Sequence, residues 1–106
     1  MNETEFLRAA TAVLDRIEGL IDASGVDIDL ERKSEGVLAL EFAGGTHIIV
    51  NLQTPMRQIW IAAKAGGYHF GLSGERWIDT RSGEEFFSVL SAHASAQSGE
   101  QMLLAA

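Results

Sequence analysis

Cysteine is absent from this chain of 106 residues. That one absence removes a disulfide scaffold, a thiolate metal site and a cysteine nucleophile together. Long apolar runs are missing too. Nothing approaches the roughly 20 residues a helix needs to cross a bilayer, and the opening Met-Asn-Glu-Thr-Glu has neither the basic nor the apolar region of a signal peptide. Basic residues are scarce, 8 against 15 acids, for a formal net charge of −7. A phosphate backbone is therefore a disfavoured partner. The expectation is no nucleic acid and no membrane, with cations or basic protein surfaces as the better match.

What is present suffices for one folded domain over residues 1–106, with 46% hydrophobic and 22% charged residues. Its acids are uneven. Glu3, Glu5, Asp15, Glu18, Asp22, Asp27, Asp29, Glu31 and Glu35 all lie in the first third, while Phe42 to Gly74 holds no acid and carries Arg57 and Lys64. The molecule should have a negative end and a neutral-to-positive middle.

Apolar spacing predicts a helix from about Glu3 to Ala23, its stripe formed by Phe6, Ala10, Val13, Ile17 and Leu20 and widened by Leu14 and Ile21. Asn2 or Thr4 is suited to cap it. Asp15, Glu18 and Asp22 share its exposed strip, and Gly25 ends it. Val26 to Glu31 then alternates, with Val26, Ile28 and Leu30 inward and Asp27, Asp29 and Glu31 outward, about 7 Å apart. Charges along a strand also protect a sheet edge, so an edge position is expected. After a turn over Arg32 to Gly36 come Leu38, Leu40 and Phe42, an Ala43-Gly44-Gly45 hairpin, and a strand from Thr46 to Leu52.

The lone proline, Pro55, separates that strand from the next. There Ile59 and Ile61 share the core side, and Gln58, Trp60, Ala62 and Lys64 share the wet side. Gly66-Gly67 reads as the following hairpin, with Tyr68, Phe70 and Leu72 as core positions and a short strand around Trp77 and Ile78. Ser82-Gly83-Glu84-Glu85 fits a capping box for a second helix reaching about Gln97. The Met102-Leu103-Leu104 tail is apolar enough to fold back. The order helix, about six antiparallel strands, helix predicts an α+β fold. It would be a two-layer α/β sandwich with both helices on one face of the sheet.

Two surfaces could carry chemistry. Glu18, Asp22, Asp27, Asp29 and Glu31, joined by Asp15 and Glu3, form one acidic patch if the first helix and first strand lie side by side. Carboxylates suit hard cations and iron, but the same acids also serve as a solvated, edge-protecting face. A strand lines its acids up in a row rather than in a cage, so a metal here would keep much of its water. The second surface is Asn51, Gln53, Gln58 and Trp60, with Arg57 and Lys64 nearby. Amides around an exposed tryptophan make a protein-docking core, unless a loop or the tail covers the indole. His47, His69 and His93 sit in different elements and indicate no metal site. No nucleophile elbow, oxyanion-hole motif or phosphate-binding loop occurs.

One arrangement is specific. Asn51-x-Gln53-x-Pro55-x-x-Gln58-Ile59-Trp60, then Gly66-Gly67-Tyr68-His69-Phe70, Trp77-Ile78 and Arg81-Ser82-Gly83-Glu84, closely resembles the frataxins, and the bacterial members most of all. The likeness covers nearly the whole chain. It implies the same two-layer sandwich and a part in iron–sulfur cluster assembly. It implies iron (Fe²⁺ and Fe³⁺) held weakly by ligands drawn from Glu18, Asp22, Asp27, Asp29 and Glu31. It further implies docking on a cysteine desulfurase and its cluster scaffold through Asn51, Gln53, Gln58 and Trp60 as well as the ridge.

The expected protein is thus a non-catalytic iron-binding regulator in a bacterial cytoplasm, monomeric unless iron assembles it. Ferroxidase or iron-storage activity, or a small acidic interaction domain without metal, are the alternatives. Here the stretch Asp22-Ala23-Ser24-Gly25-Val26 is shorter and less acidic than bacterial members usually have, so the ridge is thin.

Overall fold

The computed structural model describes residues 1–34 and 36–106; Glu35, in the expected turn from Arg32 to Gly36, lies outside them. Helix α1 spans Glu3–Ser24. Its start is fixed by a reciprocal cap: Glu5 N donates to Asn2 Oδ1 at 2.8 Å and Asn2 N donates to Glu5 Oε1 at 3.0 Å. Gly25, left-handed at φ 72°, closes it.

Six strands follow: β1 (Ile28–Arg32), β2 (Val37–Phe42), β3 (His47–Gln53), β4 (Gln58–Ala63), β5 (Gly66–Ser73) and β6 (Arg76–Asp79). They pair in sequence order, every neighbour antiparallel, so β1 and β6 are the edges. Helix α2 (Phe86–Ser98) packs beside α1 on one face of this meander.

Alternation decides what is buried between the layers. Leu38, Leu40, Phe42, Ile48, Val50, Ile59, Ile61 and Phe70 meet Phe6, Leu14 and Ile17 of α1 and Phe86 and Leu90 of α2. Trp77 closes one end of this core and sits edge-on to Phe6, with ring centroids 6.0 Å apart. Phe70 meets Phe86 the same way at 5.0 Å. The tail also contributes. Ser95 Oγ accepts from Met102 N at 2.8 Å and Ser91 Oγ accepts from Leu104 N at 2.8 Å, which turns Met102 and Leu104 inward while Leu103 remains 84% exposed.

Three sequence expectations shift. Strand β1 begins two residues later than Val26 and runs on to Arg32. The β4–β5 hairpin turns at Lys64 and Ala65, because Ala63 pairs with Gly66; the glycine pair opens β5 instead. A Cβ on Gly66 would lie 3.3 Å from the Tyr68 hydroxyl. Finally, Ser82 does not cap α2. The buried Asp79 carboxylate accepts from Arg81 N at 2.7 Å and Ser82 N at 3.1 Å, and Gly83 is left-handed at φ 78°. The chain is therefore held in a turn, and Glu85 caps the helix by accepting from Phe87 N and Ser88 N.

Candidate functional site

The sheet has a wet face and two edges, and both candidate surfaces lie there. In β1, Ile28 and Leu30 are half-buried toward the helices, so Asp29 and Glu31 point the opposite way and are exposed. Asp27, just before the strand, and Asp22, near the end of α1, are exposed too. Asp29 stands directly across from Glu41 of β2, and Glu41 in turn faces His47 of β3, with His47 Nε2 3.4 Å from Glu41 Oε2.

Helix and edge strand do lie side by side, and the link is a residue the sequence reading left unused. Arg32 shares the parity of Ile28 and Leu30, so it leans toward α1 and pairs with two acids there. Its Nη2 is 2.6 Å from Asp15 Oδ1 and its Nε is 3.2 Å from Glu18 Oε2. The acids thus straddle the sheet edge, Glu18 and Asp22 on the helix side and Asp29 and Glu31 on the wet side, with a built-in cation at one end. Glu3 does not join them; it lines a cleft near the β3–β4 connection. Among the described residues no three His, Asp or Glu side chains converge as a metal-holding group. What the ridge offers is a concentration of negative potential at an exposed edge.

The second surface is better ordered. Asn51 pairs with Trp60 and Gln53 pairs with Gln58, so the four residues occupy a two-by-two block on the wet face of β3 and β4. All four are half-buried. The indole is fixed twice. Trp60 Nε1 donates to Gln58 Oε1 at 2.8 Å, and its ring stacks on His69 of β5 with centroids 3.9 Å apart and planes within 9°. Neither the tail nor a helix covers this block, since both helices pack on the other face. His69 belongs to the arrangement through its cross-strand pairing with Trp60.

This fold and these residues have relatives. The chain matches the family model of the frataxin-like domain over residues 1–100. It belongs to the frataxin family. The iron-sulfur cluster assembly protein CyaY of Paraburkholderia phymatum is 52% identical over 105 residues, covering 99% of either chain. The CyaY of Cupriavidus necator is 48% identical over 108 residues, covering 98% of this frataxin and 96% of its own length. Among solved structures, the frataxin of Psychromonas ingrahamii matches all of this chain with a TM-score of 0.92 at 38% identity, over 100% of both. The trimeric frataxin of Saccharomyces cerevisiae complexed with ferrous iron matches with a TM-score of 0.73 at 24% identity, over 87% of each chain, and shares the fold.

Proposed function

We propose that this frataxin serves iron–sulfur cluster assembly as a non-catalytic, iron-binding regulator that docks on the cysteine desulfurase and its scaffold. One observation carries the reading: a frataxin whose near-full-length relatives are named cluster assembly proteins keeps two separate surfaces, an acidic edge and an ordered amide–indole block. Each surface suits a different task. Iron is cargo here, taken weakly and with much of its water by Asp22, Asp27, Asp29 and Glu31, with Glu18 as a fifth donor when it leaves Arg32. The same negative edge steers a basic patch of the desulfurase into encounter. Asn51, Gln53, Gln58 and Trp60 then make the specific contact, because an indole pre-fixed by Gln58 and His69 loses little conformational freedom on binding.

The test is a charge reversal. Replacing Asp27, Asp29 and Glu31 by lysine should abolish capture by a purified desulfurase at low ionic strength, where surface electrostatics are least screened. Undiminished capture would remove the ridge as a docking site.

A further inference from the structure

A sheet edge that is left open offers backbone hydrogen bonds to another chain. At the β6 edge those groups are partly taken, because Glu85 bridges to Ile78 and Asp79 N donates to Glu84 O at 2.8 Å. The β1 edge differs. Among the described residues nothing pairs with its outer side.

The ladder decides which groups of β1 face outward. In an antiparallel pair, opposed residues alternate between exchanging both backbone hydrogen bonds and exchanging none. Phe42 turns its N–H to the β3 side, donating to Thr46 O at 2.9 Å, so Ile28, which stands opposite Phe42, exchanges none with it. At the other end Lys33 N donates inward to Val37 O at 3.3 Å, in the same phase. The N–H and C=O groups of Ile28 and Leu30 therefore point to the open edge, while those of Asp29 and Glu31 bond to β2.

The side chains specify what could add there. Ile28 and Leu30 are half-buried toward the helices, and Asp27, Asp29 and Glu31 are exposed. Asp29 already faces Glu41 on its inner flank, and like charges so placed repel. A second copy of β1 would set the same acids on the outer flank as well, so this edge rejects its own kind. A basic residue there relieves the repulsion. Opposed residues share one face of a sheet, so in an antiparallel addition apolar residues would stand opposite Ile28 and Leu30 and exchange hydrogen bonds with them. Basic residues would stand opposite Asp27, Asp29 and Glu31, at the positions without hydrogen bonds, where side chains approach more closely.

We propose that β1 takes an added antiparallel strand from a partner, an extended segment in which basic and apolar residues alternate. This rests on the acidic edge being a docking surface, as proposed above, and names the form of segment that it receives. Main-chain hydrogen bonds supply the register, and the alternation supplies the choice of partner.

The probe is the capped peptide acetyl-Lys-Val-Lys-Val-Lys-amide, titrated into the whole protein at low ionic strength and followed by amide-resolved NMR and hydrogen exchange. The amides of Ile28 and Leu30, open in the free protein, should gain protection on binding. The same peptide N-methylated at both valines keeps every charge but loses the N–H groups that would face β1, and it should bind at least about tenfold more weakly. Ile28→Pro keeps every acid and is tolerated as the first residue of an edge strand whose N–H points outward; it too should bind the unmodified peptide more weakly. Equal binding of the methylated peptide, or no gain in protection at Ile28 and Leu30, would overturn the added strand. Either result would leave the acidic edge as a docking surface to be judged by the charge reversal, since a basic segment can sit on a ridge without extending the sheet.

Discussion

Arg32 reaches from the edge strand to the first helix and sets its Nη2 2.6 Å from the Asp15 carboxylate. Its Nε lies 3.2 Å from Glu18 at the same time. A guanidinium between two carboxylates performs the neutralisation that a divalent cation would perform at that spot. If Glu18 is one of the proposed iron donors, Arg32 competes with the metal for it.

Arg32→Ala should accordingly separate stability from cation binding. The arginine side chain is 33% exposed and its partners 64% and 39%, so each pair contributes at most about 1 kcal/mol to folding. Removing a positive charge a few ångströms from a divalent cation is worth a further ~2 kcal/mol in bulk water before salt screening reduces it, so affinity should rise at least about fivefold. Anaerobic Fe²⁺ titration followed by line broadening over residues 15–31 should show that gain. An unchanged titration would take Glu18 out of the proposed donor set.

The two tryptophans should behave oppositely. Trp77 is 6% exposed and packs on Phe6 in the core, so Trp77→Ala should cost about 3–5 kcal/mol. Trp60 is half-buried on the wet face and loses chiefly its His69 stack, worth about 0.5–1.5 kcal/mol. Urea denaturation of both variants gives the comparison, and desulfurase capture should fail for Trp60→Ala while the protein stays folded. Equal destabilisation would mean that Trp60 is a core residue.

How much of this was legible in the sequence follows from what each feature depends on. The wet side of Trp60 comes from period-two alternation, the meander from alternation together with the hairpin signals between strands, and the edge position of β1 from the row of acids on its outer face, all of them local properties. The Trp60–His69 stack depends on register, which is set by the turn. Taking Gly66-Gly67 as the turn pairs Trp60 with Ser73, whereas the actual turn at Lys64 and Ala65 pairs it with His69. A glycine pair suggests a turn by residue type, yet Gly66 sits in β5, where a Cβ would crowd the Tyr68 hydroxyl at 3.3 Å. The Arg32 bridge escaped for a different reason. The residue was assigned to a turn, and a turn residue has no parity from which to infer that it faces α1.

The start of α2 is set by Glu85 rather than Ser82. Glu85 accepts from Phe87 N and Ser88 N, while Ser82 Oγ accepts only from Glu84 N in an exposed turn. Glu85→Ala should therefore destabilise the protein by about 0.5–2 kcal/mol, and Ser82→Ala should stay within about 0.5 kcal/mol of the parent. Thermal or chemical denaturation decides it. The reverse order would move the helix start back to Ser82.

The tail is the last element whose contribution the geometry predicts. Met102 and Leu104 are 4% and 6% exposed against the sandwich, and their backbone groups exchange hydrogen bonds with the Ser95 and Ser91 hydroxyls of α2. Each buried side chain is worth about 1.5–3 kcal/mol, somewhat less once a realistic unfolded chain is the reference. Deleting Met102–Ala106 should thus remove roughly 2–5 kcal/mol, a large part of the 5–15 kcal/mol that ordinarily separates folded from unfolded. Leu103→Ser, at a position 84% exposed, should change nothing measurable. Because the tail packs on the helix layer and the amide–indole block lies on the opposite face, the truncated protein should still capture the desulfurase at a temperature where it remains folded. Lost capture by a folded truncation would show that the tail takes part in docking, which nothing in its present packing requires.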